Sequence, residues 1–297
     1  MSQYDTVILG AGPGGYVAAI RAAQLGAKVC IIEKELVGGT CLNWGCIPTK
    51  AMYKSAVLFE QMRKAETFGL SCEHPRANLD KIVSRNQRIV AELREGVERL
   101  FNKNKVNLIM GEGYVKGPGE VEVTTTNYGK QTIGGKQLII ATGSQPLALD
   151  LLPWDHQKVL NTRSMLELKR IPKSLFIVGG GVSGCEFALL FSALGTTIHL
   201  AKRSKEAIKG LDRDINRGLI RALKKRKVKL HLGDPPETAV LTESGVKLTL
   251  QSGKQIETEM ALVTVGRSPV SRGIGLNQLG LDLKNGYVQV NKHCQTT

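Results

Sequence analysis

Short, wholly apolar segments that stop at a glycine recur along this chain. Thr6-Val7-Ile8-Leu9 runs into Gly10, Leu138-Ile139-Ile140-Ala141 into Thr142-Gly143, and Leu175-Phe176-Ile177-Val178 into Gly179. Runs of this length, rich in β-branched residues and without alternation, predict strands buried on both faces of a parallel sheet, since a half-solvated strand would alternate. An Ala-rich helical run follows from Tyr16 to Leu25 and ends at Gly26, and a similar run ends at Leu194-Gly195. Lys28–Ile32 and Ile198–Leu200 then read as the next strands. From about Ala51 to Asn104 the pattern is helical. Ile89, Val90, Leu93, Val97, Leu100 and Phe101 recur at three- and four-residue steps, as a core-facing stripe does. Val106 to Ile133, broken by Gly111, Gly113, Gly117-Pro118-Gly119 and Asn127, reads as a small antiparallel meander. Segments 246–251 and 261–265 are further strands.

The fold class that follows is α/β, with two Rossmann-like dinucleotide-binding domains built on βαβ units and a small antiparallel β-meander in each. The first unit is strand, Gly10-Ala11-Gly12-Pro13-Gly14-Gly15, helix, strand, with Glu33 and Lys34 at the second strand's end. A lone G-x-G-x-x-G says little, but this full context is specific. Gly10 makes the tight turn, Gly12 lets backbone approach a pyrophosphate, and Gly15 lets helix and strand pack closely. The helix N-terminus offers N–H groups to phosphate, and Glu33 can accept from ribose hydroxyls. A second such unit, Gly179-Gly180-Gly181-Val182-Ser183-Gly184 with Glu186 on its helix, lies far downstream. Two nucleotide sites on one chain are hard to explain by chance.

Between Glu33 and the helical region stands Gly38-Gly39-Thr40-Cys41-Leu42-Asn43-Trp44-Gly45-Cys46-Ile47-Pro48-Thr49-Lys50. A ring closed by Cys41 and Cys46 would be small and would gain little from chain entropy, so redox cycling explains the pair better than a structural staple. A helix beginning near Thr40 would also favour a thiolate.

This segment resembles the redox-active disulfide of the flavoprotein disulfide reductases that carry two dinucleotide sites, the class I pyridine nucleotide-disulfide oxidoreductases. Within them it is most similar to the dihydrolipoamide dehydrogenases. The resemblance implies FAD at the first turn, Cys41 exchanging with substrate, Cys46 touching the flavin, and Lys50 near its N5. It implies that Ala141-Thr142-Gly143 returns to the FAD, and that the second turn takes the nicotinamide cofactor with Glu186 reaching the flavin edge near Lys50. Gly266-Arg267 resembles the family's return to the FAD domain. The expected domains are 1–147 for FAD, 148–266 for NAD(P), and 267–297 as the start of a returning FAD segment. The family pattern continues further, with an Asp that binds the FAD ribitol and a dimerisation domain bearing a His-Glu pair. The expectation is therefore an N-terminal piece of a longer, homodimeric reductase.

One position departs from the pattern. Counting from Gly195 as Glu33 counts from Gly26 gives Lys202, followed by Arg203. An acid there favours NAD, whereas cations would neutralise a 2′-phosphate and favour NADP; Gly184 as third glycine keeps NAD open.

Charge and cysteines change the picture little. The net charge is +15, of which residues 151–297 hold +11, crowded into 202–229. Such a face can be a solvated helix end or a steering field for an anionic cofactor or an acidic partner protein, and without interleaved aromatics a nucleic acid is not expected; a lipoyl-bearing complex as partner is what the resemblance implies. Cys30, Cys72, Cys185 and Cys294 read as isolated buried or surface residues, and no Cys/His set has metal-ligand spacing. Absence of a leader and of a long apolar run points to a cytoplasmic protein without a membrane segment. The function expected is electron transfer between dihydrolipoamide or another small thiol or disulfide, Cys41–Cys46, FAD and NAD or NADP. The alternatives are an NADPH-dependent reductase of another small disulfide or a metal ion, and a non-catalytic interaction module.

Overall fold

In the computed structural model, which describes residues 2–125 and 129–296, the expected break at Asn127 lies outside the described residues. The chain divides into two compact units, Met1–Ile47 with Val90–Gln145 and Ser268–Thr297, and Pro48–Ile89 with Pro146–Arg267.

The first unit starts with β1 (Ser2–Leu9), α1 (Pro13–Gln24) and β2 (Val29–Glu33), then α2 (Gly39–Trp44). Helices α3 (Cys46–Met62) and α4 (Leu79–Lys103) each pass the division between units. Strands β3 (Asn107–Met110), β4 (Glu112–Gly117), β5 (Glu120–Thr125) and β6 (Gly129–Ile140) complete one six-stranded sheet, ordered β3-β2-β1-β6-β5-β4. Its β3-β2-β1-β6 half is parallel and β6-β5-β4 antiparallel. The two segments read separately before Ile133 and after Leu138 are one strand, because β6 pairs with β5 along its first half and with β1 along most of its length. The meander thus continues the parallel sheet at its edge. Ile8, Ile31, Ala19, Val97 and Phe101 fill the core under α1 and α4. Leu93 and Leu100 of the expected stripe are instead 44% exposed each, because the buried line of α4 runs through Val97 and Phe101.

Strand β7 (Ser144–Pro146) passes the division between units, and the second unit then has β8 (Val159–Leu160), α5 (Thr162–Leu166), β9 (Ser174–Val178), α6 (Val182–Ala193), β10 (Thr197–Lys202), α7 (Arg213–Lys225) and β11 (Lys229–Leu232). The meander β12 (Pro236–Leu241), β13 (Val246–Leu250) and β14 (Gln255–Thr258) is a separate antiparallel sheet, and β15 (Met260–Val263) returns to the parallel one, ordered β11-β10-β9-β15-β8. Helix α6 is apolar on nearly every side, with Phe187, Leu190 and Phe191 buried. Met52, Ala56, Leu79 and Val83 pack into the same core as these residues, which explains why 48–89 groups with this unit.

The histidines of β10 and β11 carry no sequence motif, yet they meet. His199 Nδ1 and His231 Nε2 lie 3.2 Å apart, with the ring of Phe176 alongside. Burial, then the charges of Lys229, His231 and Lys254, hold His199 down to about 4. Burial chiefly, with Lys254 and Lys229 and against Asp234, lowers His231 too. Both rings are therefore kept neutral in the folded protein while an unfolded chain protonates them near pH 6.5. Their contribution is complete above pH 6.5 and is lost as pH falls toward 4. Denaturant midpoints should fall across that window, and His199→Asn should make the fall shallower. Parallel pH profiles for the two proteins would refute this assignment.

Candidate functional site

At the end of β1 the chain reverses through Gly10, whose φ is +96°. A Cβ on Gly10 would stand 2.4 Å from the Ala141 carbonyl oxygen, and one on Gly15 would stand 1.8 Å from that of Gly10. Only glycine fits either place, so α1 begins directly on the sheet. Gly12 is the N-cap, no side chain caps it, Pro13 opens the helix, and no acid occupies the first turn. Above Gly14 there is open space. This end of α1 therefore has the N–H donors and positive potential a pyrophosphate needs. Glu33, buried at the end of β2, accepts from Ala11 N–H at 2.7 Å and from Glu35 N–H at 2.8 Å. It braces the turn while a carboxylate of this kind still has acceptor capacity left. Lys34 beside it is exposed. Ala141 N–H donates to Leu9, Thr142 Oγ1 donates to the Val270 carbonyl, and Gly143 accepts from Val270 N–H.

The dithiol segment stands on this turn. Gly38 and Gly39 both have positive φ, and a Cβ on Gly39 would be 2.6 Å from Gly12 Cα. Thr40, exposed, precedes Cys41 on α2, and Cys46 opens α3. The two cysteines form a disulfide, with Cα atoms 4.8 Å apart. Cys41 is half-buried and Cys46 exposed. Between them Asn43 is buried. Its Nδ2 donates to the carbonyls of Val37 and Gly39 at 3.0 Å each, and its Oδ1 accepts from Arg94 at 3.4 Å. Sequence reasoning gave neither Asn43 nor Arg94 a role. The available signal was a polar residue set between Leu42 and Trp44 inside the motif.

Lys50 lies one helical turn beyond Cys46 on α3, and its Nζ meets Glu186 Oε1 at 2.6 Å. With side chains 60% and 31% exposed, this pair is a positioning contact more than a source of stability.

The second turn repeats the first. Gly179 has φ of +105° and donates to Ala201. A Cβ on it would stand 2.4 Å from the Thr264 carbonyl oxygen, and one on Gly184 would stand 1.9 Å from that of Gly179. Gly181 caps α6 without a side-chain bond, and Gly181, Val182 and Ser183 are exposed. Where the first unit has Glu33, this one has Lys202, and the polarity of the brace reverses. Its Nζ donates to Ala207 O at 2.8 Å and reaches Gly180 O at 3.5 Å. Burial lowers the pKa of this ammonium. Arg203 is exposed, as are Gly266 and Arg267, and Gly266 O accepts from Leu147 N–H. Cys185, within the turn, is buried, and burial pushes its thiol up to about 11. Buried Cys30 goes up to about 12 for the same reason, so neither is a reactive thiolate. Among the described residues no group of three or more His, Cys, Asp or Glu could hold a metal ion, and no helix is long and apolar enough to cross a membrane.

Two uncapped glycine turns stand at the ends of parallel strands, placed as dinucleotide-binding turns are, and a disulfide segment packs on the first. Residues 4–297 match the pyridine nucleotide-disulphide oxidoreductases, and the chain belongs to that family. It is 33% identical over 300 residues to a dihydrolipoyl dehydrogenase of Chlorobaculum tepidum, covering 100% of this chain and 64% of the relative. It is 37% identical over 309 residues to one of Bacillus subtilis, covering 99% and 65%. Among solved structures it resembles LpdA from Mycobacterium tuberculosis, with TM-score 0.91 and 26% identity over 100% of this chain and 65% of that one. It also resembles the Cu(II) complex of the HOCl-induced flavoprotein disulfide reductase RclA from Escherichia coli, with TM-score 0.86 and 25% identity over 100% and 64%. The chain thus spans a little under two thirds of the length of these relatives. Family membership implies FAD and a nicotinamide dinucleotide, and the two glycine turns fit such groups.

Proposed function

We propose that the chain is the dinucleotide-binding part of a flavoprotein disulfide oxidoreductase that passes electrons between a small dithiol, the Cys41–Cys46 disulfide, FAD and NAD(P). The observation that carries this reading is the packing of Gly39 against Gly12, which seats the disulfide segment on the first glycine turn. The substrate class is dihydrolipoamide, by similarity to the relatives above.

In the forward direction a substrate thiolate attacks Cys41 Sγ, the Cys41–Cys46 bond breaks, and Cys46 leaves as thiolate. The second substrate thiol, once deprotonated, attacks the mixed disulfide, freeing Cys41 and closing the substrate's own disulfide. Bound FAD would supply the acceptor for the two electrons now on the sulfurs, and NAD(P)+ the final hydride acceptor. Backbone N–H groups at Gly12, Gly14 and Gly15, with Glu33, would hold the FAD, and those at Gly181, Val182 and Ser183 the nicotinamide dinucleotide. Lys50, one turn from Cys46, favours its thiolate, and Glu186 holds the ammonium in place.

Coenzyme choice leans to NADP. Lys202 is tied to its own loop, which leaves exposed Arg203 as the cation for a 2′-phosphate. That lean supports the reverse direction as a second reading, an NADPH-driven reductase of a small disulfide. A homodimer and a lipoyl-bearing complex as partner belong to the whole protein and are proposed with it.

The deciding experiment is an absorption spectrum of the purified chain with FAD, before and after anaerobic dihydrolipoamide. Bound flavin and a long-wavelength charge-transfer band on reduction are expected. Flavin that binds but shows no band in the reduced protein would overturn the thiolate–flavin route. NADPH should then reduce the flavin with a lower half-saturation than NADH, and Arg203→Ala should erase the difference, a change of about tenfold or more.

A further inference from the structure

Beyond Lys202 and Arg203, the steepest charge asymmetry in the chain is not used by any step above. From Lys202 to Lys229 twelve cations stand against Glu206, Asp212 and Asp214. Helix α7 carries the centre of this run. Asp212 caps it, its inner face holds buried Asn216 and Leu223, and Arg226 just beyond it turns away to Glu60 at 2.9 Å. On the outside, Arg213, Arg217, Arg221, Lys224 and Lys225 are all exposed. At 100° per residue they fall within one third of the helix circumference, and Arg213, Arg217, Arg221 and Lys225 repeat every ~6 Å along it. Among the described residues the ion pair recorded on this band is Arg217 with Asp214 at 3.4 Å.

Beside the cations runs a second strip, Ile215, Gly218 and Ala222. Ile215 is 60% exposed, and nothing lies within 4 Å of the place a Gly218 Cβ would take. Glycine is the weakest helix former after proline, and neither backbone conformation nor internal crowding requires it here. The surface is therefore two-sided: a regular cationic row, and an apolar strip with a notch that permits close approach.

We propose that α7 docks an acidic amphipathic helix of a partner protein. Carboxylates repeating every four residues on that helix would meet Arg213, Arg217, Arg221 and Lys225, while its apolar side packs over Ile215, Gly218 and Ala222. A nucleic acid fits less well. Its phosphates have no use for the apolar strip, and residues 202–229 contain no aromatic side chain on which bases could stack. The charges would speed and orient the encounter, and the apolar strip would set the lifetime.

The test uses the whole chain and a fluorescein-labelled helical peptide with glutamates at four-residue intervals and leucines on the adjoining face. Polyglutamate of equal charge and a single-stranded oligonucleotide are the competing probes, followed by anisotropy. The peptide should bind at least about tenfold more tightly than either competitor. Arg217→Glu with Arg221→Glu should weaken it by about tenfold or more, and so should Gly218→Trp, which alters no charge. Gly218→Ala should keep binding and helix content, as the folding control. Tighter binding of the oligonucleotide, undiminished binding by Gly218→Trp, or no binding at all would each overturn the proposal.

Discussion

Exchanging Cys46 for serine should cut the rate at which dihydrolipoamide reduces the bound flavin by at least about a thousandfold, the scale on which loss of a reacting group is felt. Serine leaves a hydroxyl that cannot close a disulfide with Cys41 at any attainable potential. The fold should survive, because Cys46 is exposed and its neighbours Leu42 and Asn43 keep their own packing and bonds. Flavin binding and reduction by the nicotinamide coenzyme should persist, since neither glycine turn contains a cysteine that reacts. Stopped-flow absorbance separates the two half-reactions. Unimpaired reduction by the dithiol in this variant would mean that the sulfurs lie off the electron path.

The second large effect concerns Gly15. Its missing Cβ faces the Gly10 carbonyl at 1.8 Å, and that atom belongs to a backbone pinned by the Gly10 N–H bond to Ile32. Nothing there can swing aside, so Gly15→Ala must lift α1 from the sheet. A cost above about 4 kcal/mol is expected, in the range reserved for broken core geometry. For a chain of this size that corresponds to a fall in Tm of roughly 6 °C or more. Gly14→Ala is the control. It meets nothing within 4 Å and should melt close to the parent. A Gly15→Ala protein that melts within about 2 °C of the parent, and still binds FAD, would show that the close approach is not required.

Both turns were legible in the sequence because each part has a local cause: an apolar run, a glycine forced by φ, a helix with a small third position. The placement of Ala51–Asn104 was not. A helical stripe reveals which face is buried but not which core receives it, and here Met52, Ala56, Leu79 and Val83 enter one core while Val97 and Phe101 enter another. The exposure of Leu93 and Leu100 escaped for the same reason. The meeting of Lys50 with Glu186 is a contact across 136 residues that only the resemblance anticipated. The tether of Lys202 to Ala207 was invisible because two adjacent cations look alike until one of them finds a carbonyl.

That tether has a consequence for how such proteins change coenzyme. In the first unit a single carboxylate steadies its loop, and under the proposed function it would also offer acceptors to a sugar, so a substitution at Glu33 would disturb both tasks together. In the second unit the tasks sit on neighbouring residues: Lys202 keeps the loop in shape and Arg203 faces outward. Under the proposed function, preference would then drift through Arg203 without disturbing the Lys202 tether, which would make the second unit the more adaptable of the two.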